Sequence, residues 1–263
     1  GPELRVGVWA EPMTLNEGEV LELGGKGIPL PDIAIPALLP GQEVLLDDGK
    51  LLLRVTEQTE SGAVAEVLRG GVLRGRKSLA LPGADLDPPT MTASDVENIR
   101  VAASCGVTGV MQPFVRSRRD LETVRRALDE NGGANIRLFA KIENQMGLER
   151  LPEFLETADE IVIARGDLGN AMPLWELPAA QKRIEAQCRK AGKPFMVVTQ
   201  MLASMEQNPV PTRAEVSDIF NAVADGAAAV MVTGETAVGK WPVEVIRYLS
   251  NTVQAAERFL KEE

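Results

Sequence analysis

The run Lys141-Ile142-Glu143-Asn144 follows an apolar segment at residues 136–140, and a second run, Ala164-Arg165-Gly166-Asp167-Leu168-Gly169, follows a strand-like segment at 160–163. One strand–helix–strand unit separates them, so a glutamate and an aspartate are predicted at the C-terminal ends of successive parallel strands. In α/β barrels that end of the strands carries the chemistry. Two carboxylates beside a lysine can hold Mg²⁺ and balance the charge of a phosphate or an enolate. A surface ion pair beside a buried strand explains the same residues equally well.

Composition limits the chemistry and the partners. The 263 residues are 44% hydrophobic and 25% charged, which predicts a folded chain of one or two domains. Histidine is absent, so proton transfer falls to lysine, acidic, tyrosine or threonine side chains, or to water. The net charge of −10 argues against nucleic acid and anionic membranes as general partners.

Cysteine usage and hydropathy indicate a compartment. Cys105 and Cys188 are far apart and in no metal-ligand spacing, which favours a reducing environment over a zinc or iron–sulfur site. No apolar run is long enough to span a bilayer, and no signal peptide is recognised. We therefore expect a soluble, cytoplasmic protein.

The first third of the chain has the pattern of a β domain. Short apolar runs at 20–23, 43–46, 50–55 and 63–67 are candidate strands, and Asp47-Asp48-Gly49 between two of them predicts a tight turn. This pattern predicts a small antiparallel barrel or sandwich up to about residue 86.

Strands and helices alternate after Asp87-Pro88-Pro89. The predicted strands cover 107–114, 136–141, 160–163, 195–201 and 228–233, and the predicted helices cover 94–106, 120–130, 147–157, 178–190, 212–225 and 242–260. Capping boxes at Ser94–Glu97 and Thr212–Glu215 mark two helix starts. Alternating elements predict a parallel sheet with right-handed crossovers.

Short motifs run along nearly the whole chain in a fixed order. They are Gly1-Pro2-Glu3-Leu4-Arg5, Asp47-Asp48-Gly49, Leu81-Pro82-Gly83, Lys141-Ile142-Glu143-Asn144, Ala164-Arg165-Gly166-Asp167-Leu168-Gly169, Ala191-Gly192-Lys193-Pro194, Thr199-Gln200-Met201-Leu202, Pro211-Thr212-Arg213-Ala214-Glu215 and Gly234-Glu235-Thr236-Ala237, with Gly239 and Pro242 close behind. Together they resemble pyruvate kinase, a family of glycolytic phosphotransferases that transfer a phosphoryl group between phosphoenolpyruvate and ADP.

The resemblance implies a (β/α)₈ barrel with an inserted β-rich lid. Residues 1–5 would end a barrel strand, 6–86 would form the lid, and 87–263 would supply barrel strands four to eight. The first strands and the C-terminal domain have no counterpart here, nor does the substrate-phosphate arginine. We expect an incomplete K⁺ site and impaired activity. Unpaired strand edges predict a homo-oligomer or a complementing chain.

The resemblance also implies residue roles at the strand ends. Glu143 and Asp167 would hold Mg²⁺ or Mn²⁺, and Lys141 would face the transferring phosphoryl group. The backbone N–H groups of Gly166 and Asp167 would receive the substrate carboxylate. Thr199 would lie near the carbon that gains a proton, although a barrel-lining hydroxyl explains it too.

Other positions carry weaker implications. Thr233 keeps a hydroxyl where the family usually has serine, and we count it as catalytic. Pro113 replaces another usual serine. Arg5, Lys77 and Asp87 match positions near the nucleotide, ADP or ATP, whereas a solvated side chain also explains Lys77.

Three hypotheses remain open from the sequence. The first is pyruvate kinase-type phosphoryl transfer. The second is a non-catalytic binding or assembly module of the same fold. The third is a Mg²⁺-dependent enzyme that enolises or decarboxylates a 2-oxo acid, which needs only the metal, the lysine and the carboxylate-binding turn.

Overall fold

The structure is a computed structural model that describes residues 3–84 and 86–262. Gly1 and Pro2, which open the first matched motif and the predicted segment 1–5, lie outside the described residues. The chain divides into two compact units. A β-rich unit extends to Val96 and includes Gly169–Leu174, and a parallel-sheet unit comprises Glu97–Leu168 and the residues from Trp175 onward. The segments 1–5, 6–86 and 87–263 stay predictions, because compactness alone does not locate the ends of an inserted domain.

The β-rich unit consists of short antiparallel strands. Within the described residues these are β1 (Met13–Leu15), β2 (Val20–Gly24), β3 (Glu43–Leu46), β4 (Leu51–Thr59), β5 (Gly62–Arg69), β6 (Gly71–Leu73) and β7 (Leu79–Ala80). One sheet has the order β2-β5-β4-β3-β7, and β1 pairs with β6. Alternate residues of β3 and the start of β4 are buried, so one face of this sheet lies on the core.

The turn between β3 and β4 needs backbone angles that few residues adopt. Asp47, Asp48 and Gly49 have φ values of 49°, 56° and 76°. Aspartate and glycine tolerate this left-handed region better than other residues. The Ser78 hydroxyl donates to Asp48 at 2.8 Å and accepts the Asp48 N–H at 2.7 Å, which fixes the turn.

The second unit is built on a parallel sheet. Over the described residues its strands are β8 (Gly109–Gln112), β9 (Arg137–Ile142), β10 (Glu160–Ala164), β11 (Phe195–Val198) and β12 (Ala229–Met231). They lie side by side in chain order, and each is parallel to its neighbours. The predicted fold class is confirmed: an α/β chain with a five-strand parallel sheet, as in part of a barrel, and an antiparallel β region.

Helices precede, connect and follow these strands. They are α1 (Ala93–Ala102), α2 (Arg118–Glu130), α3 (Gln145–Glu149), α4 (Leu151–Phe154), α5 (Arg165–Asn170), α6 (Leu177–Ala191), α7 (Arg213–Ala224), α8 (Gly234–Ala237) and α9 (Pro242–Glu262), with 3₁₀ turns at Asp32–Ala37, Leu174–Glu176 and Ala203–Glu206. Within the described part of the chain, none of the helices has the length and apolarity that a membrane crossing requires.

The two faces of the parallel sheet differ in burial. Ile161, Ile163 and Val197 point to one face and have no exposed surface, and helices α2, α6 and α7 pack against strands of this sheet. The opposite face, which we call the inner face, carries the fully buried Val162, Ala164 and Val198, flanked by partly buried apolar residues, Phe139, Met196 and Met231.

Two predicted helix features are wrong in detail. The reciprocal cap of α1 joins Thr92 and Asp95, at 2.7 and 3.1 Å, and not Ser94 and Glu97. The predicted helix at 147–157 is two short helices, α3 and α4, that meet at Arg150. Pro152 has no N–H to donate to the carbonyl of Leu148, so one continuous helix is disfavoured here. The cap of α7 by Thr212 and Glu215 is confirmed.

Candidate functional site

Lys141 and Glu143 form an ion pair at the C-terminal end of β9. Lys141 Nζ lies 2.6 Å from Glu143 Oε1, and the carboxylate is only 2% exposed. Glu143 Oε2 accepts the backbone N–H of Phe114 at 2.8 Å, which ties the segment after β8 to the end of β9. The buried charge therefore has a partner on each oxygen, as a buried carboxylate requires. Strand alternation places Phe139, Lys141 and Glu143 in one row along the inner face.

Asn144 begins the helix that follows the ion pair. Its side-chain oxygen accepts the Gly147 N–H at 2.8 Å, and its side-chain amide donates to the Val115 carbonyl at 3.2 Å. The first bond is an N-cap, which satisfies a donor of α3. Asn144 thus stabilises the turn into α3, while Lys141 and Glu143 remain at the end of β9.

The second motif turns directly from β10 into α5. The Gly166 N–H donates to Thr199 Oγ1 at 2.9 Å, and Asp167 lies in the first turn of α5, partly buried. A Cβ atom on Gly166 would meet Thr199 at 3.7 Å or more, an ordinary contact distance. The packing around Gly166 therefore does not demand glycine here.

Thr199 follows β11 in a strained conformation. Its φ is 75°, and that of Gln200 is 54°. Such angles are rare for residues with a side chain and rarest for β-branched ones. Arg165 contacts the Thr199 carbonyl oxygen twice, through Nη2 at 2.8 Å and Nε at 3.3 Å. Its Nη1 binds both carboxylate oxygens of Asp218 on α7, at 2.9 and 2.7 Å.

Thr233 follows β12 and is held by a buried acid. Glu235, 1% exposed, accepts the Thr233 N–H at 2.7 Å and the Leu202 N–H at 3.1 Å. One carboxylate therefore joins the loops that follow β11 and β12, and the Thr233 side chain lies at the same edge of the sheet as Thr199.

The structure places the candidate nucleotide residues in the β-rich unit. Arg5 pairs with Glu3 and donates to the Arg76 carbonyl at 2.8 Å. Lys77 Nζ lies 2.8 Å from Asp47. Burial alone would raise the pKa of Asp47, but the Lys77 hydrogen bond and the charges of Lys50 and Lys77 outweigh it, so the pKa is lowered. Asp87 is exposed.

Several structural partners were missed by the sequence interpretation. Asp218 and Glu235 position strand-end loops, yet a single acid on a helix gives no sequence signal. Glu235 lies in the run Gly234-Glu235-Thr236-Ala237, but its contacts with Leu202 and Thr233 form only when the loops fold. Arg116 is 9% exposed, and its Nη2 lies 2.9 Å from Asp120 in a buried ion pair.

The donor set fits a hard divalent cation. Among the described residues there is no group of three or more histidine, cysteine or acidic side chains of the kind that holds a metal by itself. Mg²⁺, however, is usually bound through one or two carboxylates together with water and substrate oxygens. Glu143 and Asp167 supply that number of carboxylates, and the carboxylate oxygens of Glu143 each retain a second lone pair.

Comparison with known proteins identifies similar sequences. The family model "Pyruvate kinase, barrel domain" matches residues 1–246. The chain is 39% identical over 268 residues to the pyruvate kinase of Agrobacterium vitis and 40% identical over 268 residues to that of Methylorubrum extorquens, covering 98% of this chain and 55% of each relative. It is 41% identical over 220 residues to pyruvate kinase 2 of Candida glabrata, covering 83% of this chain and 43% of the relative. The chain thus spans about half the length of the curated relatives it matches.

Proposed function

The chain belongs to the pyruvate kinase family, and we propose that its strand-end residues serve phosphoryl transfer between phosphoenolpyruvate and ADP. One observation carries this proposal: a buried Lys141–Glu143 pair and a Thr199–Gly166 hydrogen bond lie at the same edge of one parallel sheet. Such a transfer requires positive charge opposite the phosphoryl oxygens and a proton source for the enolate. The edge offers groups for both tasks.

Lys141 is the residue we propose to face the phosphoryl group. Its side chain is 26% exposed, and Glu143 accepts one of its three N–H donors. Because the carboxylate is buried and anchored by Phe114, it fixes the ammonium at the strand end. The remaining donors can then point to the phosphoryl oxygens.

Glu143 and Asp167 are the proposed metal ligands. They would hold Mg²⁺ or Mn²⁺, whose charge offsets that of the phosphoryl and enolate oxygens. Glu143 keeps its orientation through the Phe114 N–H whether or not a cation is bound.

The substrate carboxylate is proposed to bind above Gly166. Gly166 carries no side chain that would obstruct a ligand approaching the backbone at this point. Thr199 Oγ1 already accepts the Gly166 N–H, so the substrate must share this donor or rely on that of Asp167.

Thr199 is the proposed proton donor, with Thr233 as a second hydroxyl. The Gly166 N–H occupies one lone pair of Thr199 Oγ1, which leaves the hydroxyl proton to be donated. Accepting a hydrogen bond also polarises the O–H group. In a chain without histidine, a hydroxyl and water relay to the enolate carbon is chemically reasonable.

Arg5, Lys77 and Asp87 are proposed to contact ADP or ATP. Lys77 has donors beyond the one directed to Asp47, and so can serve a phosphate without losing that ion pair. The K⁺ site of residues 1–263 is proposed to be incomplete, since the chain spans about half the length of its relatives. Separately, Pro113 supplies no hydroxyl where the family usually has serine.

Location and assembly complete the proposal. We propose a cytoplasmic location, in keeping with two free cysteines, of which Cys188 has its pKa raised by burial to about 12.

We also propose that residues 1–263 alone associate with a second copy or a complementing chain and turn over slowly. The support is that β8 and β12, in the described sheet, each pair with one neighbour.

A coupled lactate dehydrogenase assay with phosphoenolpyruvate, ADP and Mg²⁺ tests the proposal. We expect turnover below the usual ~10 per second and a further loss of ~10²–10³-fold in Lys141→Met. Lys190→Met, an exposed lysine at the end of α6, is the matched control and should keep the parent rate. Deuterium exchange at the methyl group of pyruvate is measured in parallel. Exchange without phosphoryl transfer would favour the enolising alternative, and neither activity would favour the binding module.

A further inference from the structure

Arg165 lies beside the candidate site but has no donor left for a substrate. A guanidinium group has five N–H donors. Nη1 binds both oxygens of Asp218, while Nη2 and Nε bind the Thr199 carbonyl, and Nη2 also reaches Met201 Sδ at 2.9 Å. All five are therefore directed to the protein. An arginine so occupied orients the backbone through the Thr199 carbonyl and has no N–H group left for a substrate anion.

The backbone that Arg165 orients is the strained part of the sheet edge. Left-handed angles at two successive residues with side chains, Thr199 and Gln200, persist only where surrounding contacts impose them. The described contacts on Thr199 are the two Arg165 bonds to its carbonyl oxygen and the Gly166 bond to its hydroxyl. Arg165 thus restrains the carbonyl group of Thr199 and Gly166 restrains its hydroxyl group, so the two sets of bonds together restrain the backbone and the side chain of this one residue.

Asp218 is the residue that fixes Arg165 in turn. It lies on α7, one side chain away from the strand end, and its carboxylate is 34% exposed. The pairing through two short bonds, at 2.9 and 2.7 Å, restricts both the position and the plane of the guanidinium. Without it, a long side chain that is only 12% exposed would have to satisfy its charge on carbonyl oxygen alone.

We propose that Asp218 is a positioning residue that acts through Arg165 to hold Thr199 in its left-handed conformation, with the hydroxyl on the Gly166 N–H. Its consequence for catalysis rests on the proposed function: loss of Asp218 would impair proton donation by Thr199 more than substrate binding. The conformational part stands on the geometry alone and is testable in the chain without substrate.

Hydrogen exchange of the Gly166 amide, followed by NMR, is the direct test. Asp218→Asn should accelerate this exchange roughly tenfold or more, since a hydrogen bond to a charged partner is lost. Asp218→Glu should restore much of the protection, and Thr199→Val, which removes the acceptor, gives the fully released rate. The Ile163 amide, in the middle of the sheet, serves as an internal reference for global unfolding.

A matched control exists at the other end of the same sheet. Arg125 binds Asp129 at 3.0 Å and the carbonyl oxygens of Ile136 and Gly133 at 2.8 Å each, which is the same chemistry just before β9. Asp129→Asn should leave the Gly166 amide unchanged. Should Asp218→Asn fail to fold, Arg165→Lys tests the same point, because lysine cannot bind the acid and the carbonyl in one plane.

The outcomes separate the two claims. An unchanged Gly166 amide in a folded Asp218→Asn chain overturns the positioning role, whatever the activity. A faster amide, with a fall in kcat for pyruvate deuterium exchange and little change in KM, supports both claims. A faster amide in a chain whose parent shows no exchange or transfer supports the positioning role and overturns the proposed function.

Discussion

Several interactions of the candidate site meet at Glu143. It is almost fully buried, carries a charge, and binds one ammonium and one backbone N–H group. Burying a carboxylate is unfavourable unless every oxygen finds a partner. Glu143 meets this condition, and Asp167 is a second acid in the first turn of α5, directly after the next strand.

Measuring metal affinity tests whether Glu143 and Asp167 form a cation site. We expect Mn²⁺ to bind the parent chain, and Glu143→Gln and Asp167→Asn each to weaken binding at least tenfold, because even outer-shell changes at metal sites typically cost ~10–100-fold. Calorimetric titration measures the affinity. Glu153→Gln, an exposed acid on α4, serves as the control. Equal affinity in the parent and both site variants would remove the metal from the proposal.

A second residue, Glu215, makes the free energy of unfolding depend on pH. It accepts bonds from Ser204 N and Oγ, at 2.7 and 2.6 Å, and from Thr212 N and Oγ1, at 2.7 and 2.9 Å. Burial by itself would raise the pKa of this carboxyl, but the bonds from Ser204 and Thr212 dominate and lower it. The stabilisation is therefore complete above the ordinary glutamate pKa of about 4.3 and is lost as the pH falls through the lowered value.

The prediction is a pH-dependent difference between two chains. Glu215→Gln should lower the free energy of unfolding at neutral pH, and the gap from the parent should narrow as the pH falls below ~4. Urea unfolding at a series of pH values measures it. Glu130→Gln, exposed at the end of α2, should show no such narrowing. A constant gap at all pH values would contradict the assignment.

At the element scale, the starts of α1 and α7 show how far the local sequence determines where a helix begins. α7 begins where the Thr212–Glu215 pattern predicts, because both residues bond each other's backbone. At α1 two overlapping patterns compete, and Thr92 with Asp95 forms the cap while Ser94 lies inside the helix. The pattern thus marks candidate caps, and the path of the chain entering the helix selects between neighbouring ones.

Substitutions distinguish the patterns that form a cap, at Thr212 and Thr92, from the pattern at Ser94, which does not. Thr212→Ala and Thr92→Ala should each lower the free energy of unfolding by ~0.5–2 kcal/mol, the usual value of an N-cap. Ser94→Ala should change it by less than ~0.5 kcal/mol, as exposed substitutions generally do. Chemical denaturation of the three variants against the parent checks this, and a large loss in Ser94→Ala would contradict the cap seen at Thr92.

Much of the fold could be predicted from the sequence, and less of the site. The parallel strands could be predicted because they are apolar runs that alternate with helical segments along the chain. The three short strands β1, β6 and β7 were not predicted, because runs of two or three residues carry no periodic signal. At the site, Lys141 and Glu143 were predicted from their place after a strand. Asp218 was not, since its link to Thr199 exists only through the folded Arg165.

The parallel-sheet unit, as a whole, leaves part of its inner face incompletely covered. Val162 and Val198 at the centre have almost no exposed surface, whereas Phe139, Met196 and Met231 are partly exposed and Met111 on β8 is 39% exposed. The edge strands β8 and β12 each have one strand neighbour in the described sheet. Edge strands of a sheet can pair with strands of other chains.

Association of the 263-residue chain is the resulting prediction. We expect sedimentation velocity to show mass rising with concentration, because a second chain can cover the inner face and pair the edges. Met111→Lys places a charge on the β8 edge and should shift the distribution toward monomer, as edge lysines do in natural sheets. Val8→Lys, which replaces an equally apolar residue that is 68% exposed in the β-rich unit, is the control and should associate like the parent. A parent chain that stays monomeric at all concentrations would show that the partly exposed inner face is stable in water. That result would contradict the predicted association through the strand edges.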